Sequence, residues 1–161
     1  VQMKAGTVLT GLLCATAFLA ALVFMPVIAQ KIDRPFLAGA AYLAFAPFCH
    51  QLPGRSFHIS GVQLAVCARC AGIYFGLFIG ALFFSFWKKP VSRLILWPAA
   101  LLAADGLLNF LGIAATPSYL RLVFGLGFGF FGGWLLALGA SDLEEMVRGR
   151  GERKWEIKST I

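Results

Sequence analysis

The sequence predicts an all-α fold: a four-helix transmembrane bundle with a short re-entrant or interfacial helix and an extracytoplasmic Cys/His loop. Composition is the first reason. Apolar types make up 60% of the 161 residues and charged types 13%, with a mean hydropathy of +0.82. A soluble domain carries roughly a quarter charged residues. Run length is the second reason, because the apolar residues gather in stretches of about twenty, the length that crosses a bilayer. The third is that these runs lack the two-residue alternation of half-buried strands. Such a composition excludes a disordered chain and argues against a soluble globule. The eighteen glycines and seven prolines follow no low-complexity period, and the length suits one compact domain.

The elements follow in order. Residues 5–29 form an uncharged apolar run. Val27-Ile28-Ala29 resembles a leader cleavage site. The apolar part is too long for a leader, however, and the region before it holds only Lys4, so it reads as a retained span. Residues 36–48 are apolar, bounded by Pro35 and Pro47, and too short to cross; they suit a re-entrant or interfacial helix. Spans are expected at about 68–87, 94–114 (interrupted by Asp105 and Asn109) and 119–140 (with Arg121 near its start). Residues 1–140 then make a single membrane domain, and 141–161 a charged cytoplasmic tail.

Charge placement sets the expected orientation. The chain has fourteen Lys and Arg against seven Asp and Glu, a net +7. The last twenty-one residues hold five of each sign, so the excess lies in residues 1–140, where the only acids are Asp33 and Asp105. In a soluble protein this would suggest nucleic acid; in so apolar a chain it marks membrane edges, and no nucleic-acid partner is expected. Four spans place Lys88, Lys89 and Arg93 on the same side as both termini, in agreement with the positive-inside rule. A fifth span at 36–48 would spoil that agreement. The expectation is a multi-pass protein of a prokaryotic inner membrane with both termini cytoplasmic and the bilayer as its main partner.

Gly72, Gly76 and Gly80 recur every four residues in the second span, and Gly125, Gly129 and Gly133 do so in the last. This spacing puts small residues on one helix face, where two backbones can approach closely. The second and fourth spans are expected to pack stripe to stripe.

Chemistry concentrates in one segment. Cys49, Cys67, Cys70, His50 and His58 lie within twenty-two residues, together with Arg55 and Arg69; Cys14 stands apart as a small packing residue. Cys67 and Cys70 form a Cys-x-x-Cys where a helix is expected to begin, so amides, dipole and nearby arginines favour thiolate. Cys49, Cys67 and Cys70 with His50 would make a Cys₃His set suited to tetrahedral zinc. His50 is preferred to His58 because it adjoins a ligand and sits nearer the membrane. The same pair also suits thiol–disulfide exchange, which an extracytoplasmic face permits. A structural disulfide with one free cysteine is the plain alternative. Three cysteines leave redox pairing odd, whereas three with a histidine complete a metal set.

Asp105 and Asn109 share one face of the third span, and a charge within a span faces a partner. Arg121, across the next turn, is the expected partner of Asp105. Arg55, Arg69 and Arg121 on the outer edge, with one acid to offset them, suit an anionic small molecule or a lipid headgroup.

The string Cys49-His50-Gln51-x-Pro53-x-Arg55-Ser56-Phe57, followed by Cys67-Ala68-Arg69-Cys70-x-Gly72-Ile73-Tyr74-x-Gly76, resembles a family of small uncharacterised prokaryotic membrane proteins, domain of unknown function 2085. Asp105-Gly106, Leu120-Arg121 and Gly125 are similar to its later pattern, with Asn109 where the family has a glutamine. The likeness spans about residues 45–130. It implies that the Cys/His/Arg cluster and the Asp/Arg residues form one site, and it implies no activity.

The leading expectation is a small membrane protein with a zinc site at its extracytoplasmic edge. A quinone-linked thiol oxidoreductase is one alternative, by loose analogy with four-helix enzymes that reoxidise disulfide catalysts. An accessory subunit of a larger membrane complex is another, its glycine faces and phenylalanines meeting partner helices. No Walker, Rossmann, HExxH or nucleophile-elbow pattern occurs.

Overall fold

The computed structural model describes residues 6–87, 96–111 and 116–159, with side chains as far as Val147 apart from Phe110. Lys4, Lys88, Lys89 and Arg93, on which the expected orientation leans, lie outside the described residues. The chain is mostly helical. In order come α1 (Thr7–Leu22), α2 (Met25–Lys31), α3 (Pro35–Phe45), a 3-10 turn (Pro53–Arg55), β1 (His58–Ile59), β2 (Val62–Gln63), α4 (Ala68–Phe86), α5 (Leu96–Phe110) and α6 (Ser118–Ser159).

Two helices are long and apolar enough to cross a membrane, α4 and the Ser118–Val147 part of α6. The pair α1 and α2 would be a third span, but it is bent by 57°. The first run is therefore not the single straight helix expected over 5–29. Pro26 is the cause. It has no N–H to give to residue 22, and its ring crowds the carbonyl four residues back. Leu22 is where α1 stops. The break leaves the Val23 carbonyl free, and the Ala65 N–H takes it at 3.1 Å. A kink in the first span thus becomes an anchor for the loop that carries the cysteines.

α3 has eleven residues, about 16 Å of helix, roughly half the hydrocarbon thickness. The described part of the third apolar run, α5, has fifteen residues. α6 continues unbroken from the apolar stretch into the charged C-terminal stretch, as far as Ser159. Glu, Arg and Lys are good helix formers, so losing apolar content at Asp142 does not end the helix.

α4 and α6 run side by side in the same direction. Gly72 lies against Leu122, Gly125 and Leu126; Gly76 against Leu126, Gly129 and Phe130; Gly80 against Phe130. In return Gly125 meets Arg69 and Ile73, Gly129 meets Ile73, and Gly133 meets Leu77. A β-carbon at any of these six glycines would overlap the partner's backbone, which is the geometry that four-residue spacing of small residues permits. This seam aligns the first turn of α4 with the first turn of α6, and so decides what lies at that end.

Two apolar clusters flank the seam. One joins Val23, Val27, Ala41, Phe45, Cys49, Leu64, Ala65, Val66 and Ala71, burying the end of the loop under α2 and α3 and against α4. The other, at the far end, joins Ala81, Phe84, Trp134 and Ala137 with leucines of α1. Many large apolar side chains on the helices remain exposed, Phe36, Phe86 and Trp97 among them. For membrane helices, that outer surface belongs to lipid.

Candidate metal centre and its arginine border

The loop from Phe48 to Val66 is held by polar stitches rather than by regular structure. β1 and β2 pair His58 with Gln63 and Ile59 with Val62. Ser60 (φ 52°) and Gly61 (φ 80°) are both left-handed, as a type I′ hairpin turn requires. Tyr42 of α3 donates its hydroxyl to the Gln63 carbonyl at 2.7 Å. Gln51 donates to the Tyr42 carbonyl at 2.8 Å, and Gln63 to the Gln51 carbonyl at 2.6 Å. Ser56 is buried and bonds the Leu52 carbonyl. These bonds close the loop back onto α3 and bring Cys49 beside the start of α4.

The result is a cluster of three thiols. The Sγ atoms of Cys49, Cys67 and Cys70 all lie within 4.8 Å of one another. Cys67 is the residue before α4, and its N–H points at Cys49 Sγ at 3.2 Å. Cys49 is buried and the other two are half-buried. Hydrogen bonds from the thiols of Cys49 and Cys70, and from the backbone amides of Cys70 and Arg69, hold Cys67 well below the usual thiol range. Cys49, whose thiol hydrogen-bonds to Cys67, is pushed up. The thiolate is stabilised mainly by thiol and amide donors, and less by the arginines than the sequence suggests. In a tetrahedral zinc thiolate the sulfurs sit about 3.8 Å apart, so the cluster is close to a ligand set. These three cysteines could hold a metal.

The histidines are elsewhere. His50 is exposed and does not join the thiol group; His58 is exposed on β1. The expected fourth ligand is therefore not in place. Cys49 is turned inward onto the apolar cluster, and the next side chain along is left on the outside.

A polar network borders the thiols. Arg69 of α4 forms an ion pair with Asp105 of α5. Asp105 is 3% exposed at its side chain, and its other oxygen accepts from Asn109 (2.9 Å) and Thr116 (2.5 Å). Arg121 instead donates to the Asn109 side-chain oxygen. The expected Asp105–Arg121 pair is thus corrected to Asp105–Arg69. Helix register explains it. In the α5–α6 hairpin Arg121 stands level with Asn109, one turn nearer the connection, while the glycine seam brings Arg69 across to Asp105 and Gly106. Arg55 follows in the exposed 3-10 turn, and its charge and that of Arg69 both reach Arg121. Sequence reasoning missed Tyr42, Gln63 and Thr116. Only Thr116 had a visible cue, a hydroxyl in the turn between Asp105 and Arg121.

Apolar helices of spanning length, with a cluster of three thiols at one end, define a helical membrane protein with a candidate metal centre. The chain belongs to the family described as predicted membrane protein (DUF2085), whose model matches residues 49–135. That range includes the thiols, the arginine border and the glycine seam. The chain is similar to an uncharacterised protein of Methanocaldococcus jannaschii, 35% identical over 101 residues, which are 59% of this chain and 65% of that protein. It is also similar to an uncharacterised protein of Methanothermobacter thermautotrophicus, 32% identical over 88 residues, 52% of this chain and 79% of that one. The match thus spans just under two thirds of the first relative's length. No solved structure matches the chain.

Proposed function

We propose that this protein is a multi-pass prokaryotic inner-membrane protein whose extracytoplasmic end carries a zinc centre on Cys49, Cys67 and Cys70. In this reading the bent α1–α2 pair, α4, α5 and the apolar part of α6 are its four crossings, and both termini are cytoplasmic. One observation carries the metal assignment: three sulfurs from two separate segments meet within 4.8 Å of one another. Three thiolates are soft ligands that suit zinc, and tetrahedral zinc takes a fourth ligand. With His50 and His58 exposed, that fourth position is open to solvent or to an external ligand. The chain's own residues supply charge and position. The thiols of Cys49 and Cys70, with the α4 amides, favour the Cys67 thiolate, and the Tyr42–Gln63–Gln51 stitches keep Cys49 against it.

Elemental analysis and thiol counting on the detergent-purified chain test this. The expected result is one zinc per chain, with three cysteines protected from alkylation until a chelator is added. Cys67→Ser should lose stoichiometric zinc. A Cys67–Cys70 disulfide without metal would overturn the metal reading in favour of thiol–disulfide exchange, with a quinone as the candidate electron acceptor. A partner protein that co-purifies in fixed ratio would instead make the centre structural within a larger complex.

A further inference from the structure

We propose that Arg55, Arg69 and Arg121 form a binding site for a phosphate group, carried either by an anionic lipid headgroup or by a free phosphate compound. Arg121 is the starting point. It is more than nine-tenths buried, 7% exposed, yet among the described residues its hydrogen-bond partner is the neutral amide of Asn109. Asp105 is already committed, to Arg69 through one oxygen and to Asn109 and Thr116 through the other. A buried guanidinium without a counter-ion is costly unless a charge is brought to it.

A second, independent feature points to an oxyanion. The Nε atoms of both Arg69 and Arg121 are buried and have no hydrogen-bond partner. In each, the neighbouring Nη2 is already engaged, with Asp105 for Arg69 and with Asn109 for Arg121. Each arginine thus presents the fork edge that grips oxyanions two-point, with one prong left over. Two such prongs, on two different helices, with Arg55 exposed beside them, suit an oxyanion whose oxygens point in several directions. A phosphate meets that demand.

Charge agrees. The charges of Arg55 and Arg69 both act on Arg121, and among the described residues Asp105 is the carboxylate set against them. Positive charge is left over, and neither Arg69 nor Arg121 bonds a thiol, so the site does not depend on the metal. Arg55, exposed in the 3-10 turn, stands where an incoming anion would meet it first.

The test uses the full chain in detergent and in nanodiscs. Inorganic phosphate is titrated calorimetrically, and lipid retained from mixed phosphatidylglycerol and phosphatidylcholine nanodiscs is counted by native mass spectrometry. The expected result is one phosphate group per chain, with Arg121→Gln and Arg55→Gln each weakening it about tenfold or more and Arg121→Lys recovering part of the loss. Saturable binding of inorganic phosphate identifies a free phosphate compound as the source. One retained phosphatidylglycerol without phosphate binding identifies a lipid. Thiol protection and metal content stay as in the parent, which separates this site from the thiol centre. If Arg121→Gln does not fold, the exposed Arg55 variant carries the test. Absence of both phosphate and phosphatidylglycerol, or binding unchanged in Arg55→Gln, overturns the proposal.

Discussion

The molecule has a buried acid at each end, and the two are used differently. At one end Glu144 of α6, 7% exposed, accepts hydrogen bonds from the N–H groups of Gly6 (2.5 Å) and Thr7 (3.2 Å). α1 begins at a glycine that has no side chain to cap it, so a neighbouring helix supplies the carboxylate, where the helix dipole also favours it. The acid meets two donors of an uncharged backbone and the arrangement closes on itself. At the other end Asp105 meets a guanidinium, an amide and a hydroxyl, and two arginine Nε atoms still lack partners. A polar group whose donors and acceptors match acts as a latch. One with donors left over, beside a thiol cluster, is equipped to take a ligand.

Substitutions can break this contrast. Asp105→Ala strands the buried side of Arg69 together with Asn109 and Thr116, and should cost about 3–5 kcal/mol, measured by unfolding in detergent. Added phosphate should recover part of that loss, which would mark the region as a ligand site rather than a latch. Glu144→Ala leaves two N–H groups at the start of α1 without their acceptor. It should cost about 1–3 kcal/mol by the same measurement, with zinc content unchanged. Equal loss of zinc would mean that the two ends are not independent. The smallest effect is expected from His50→Ala. This exposed side chain should change stability by less than about 0.5 kcal/mol and leave the zinc stoichiometry of the purified protein intact; loss of zinc would restore His50 as the fourth ligand.

Much of the site was legible before any coordinates. The Cys-x-x-Cys at the start of a span, the third cysteine in the preceding loop and the two glycine stripes are local features of residue type and spacing. The structure brings Cys49, Cys67 and Cys70 together and sets the stripes face to face. The break at Pro26 was readable in principle, because proline acts on the carbonyl four residues behind it whatever the fold. The expectation of one continuous span passed over it, since hydropathy carries no record of a missing N–H. Capture of the Val23 carbonyl by Ala65 was not readable, because forty-two residues separate the two and neither has a polar side chain. Glu144 was counted as part of a charged tail. Only the close approach of α1 to α6 shows it to be a cap.

By itself the sequence determined the medium, the apolar helices, their small-residue faces and the cysteines available to a cluster. Each of these follows from residue type and from periodicity along a single helix, and neither changes when the helix is moved. The tertiary structure decided which arginine Asp105 pairs with, whether a histidine joins the thiols, and where a positive charge is left without a partner. Those are choices among like groups a few ångströms apart. They are settled by the register between α4, α5 and α6 and by the path of the loop over α3, which only the packed backbone defines.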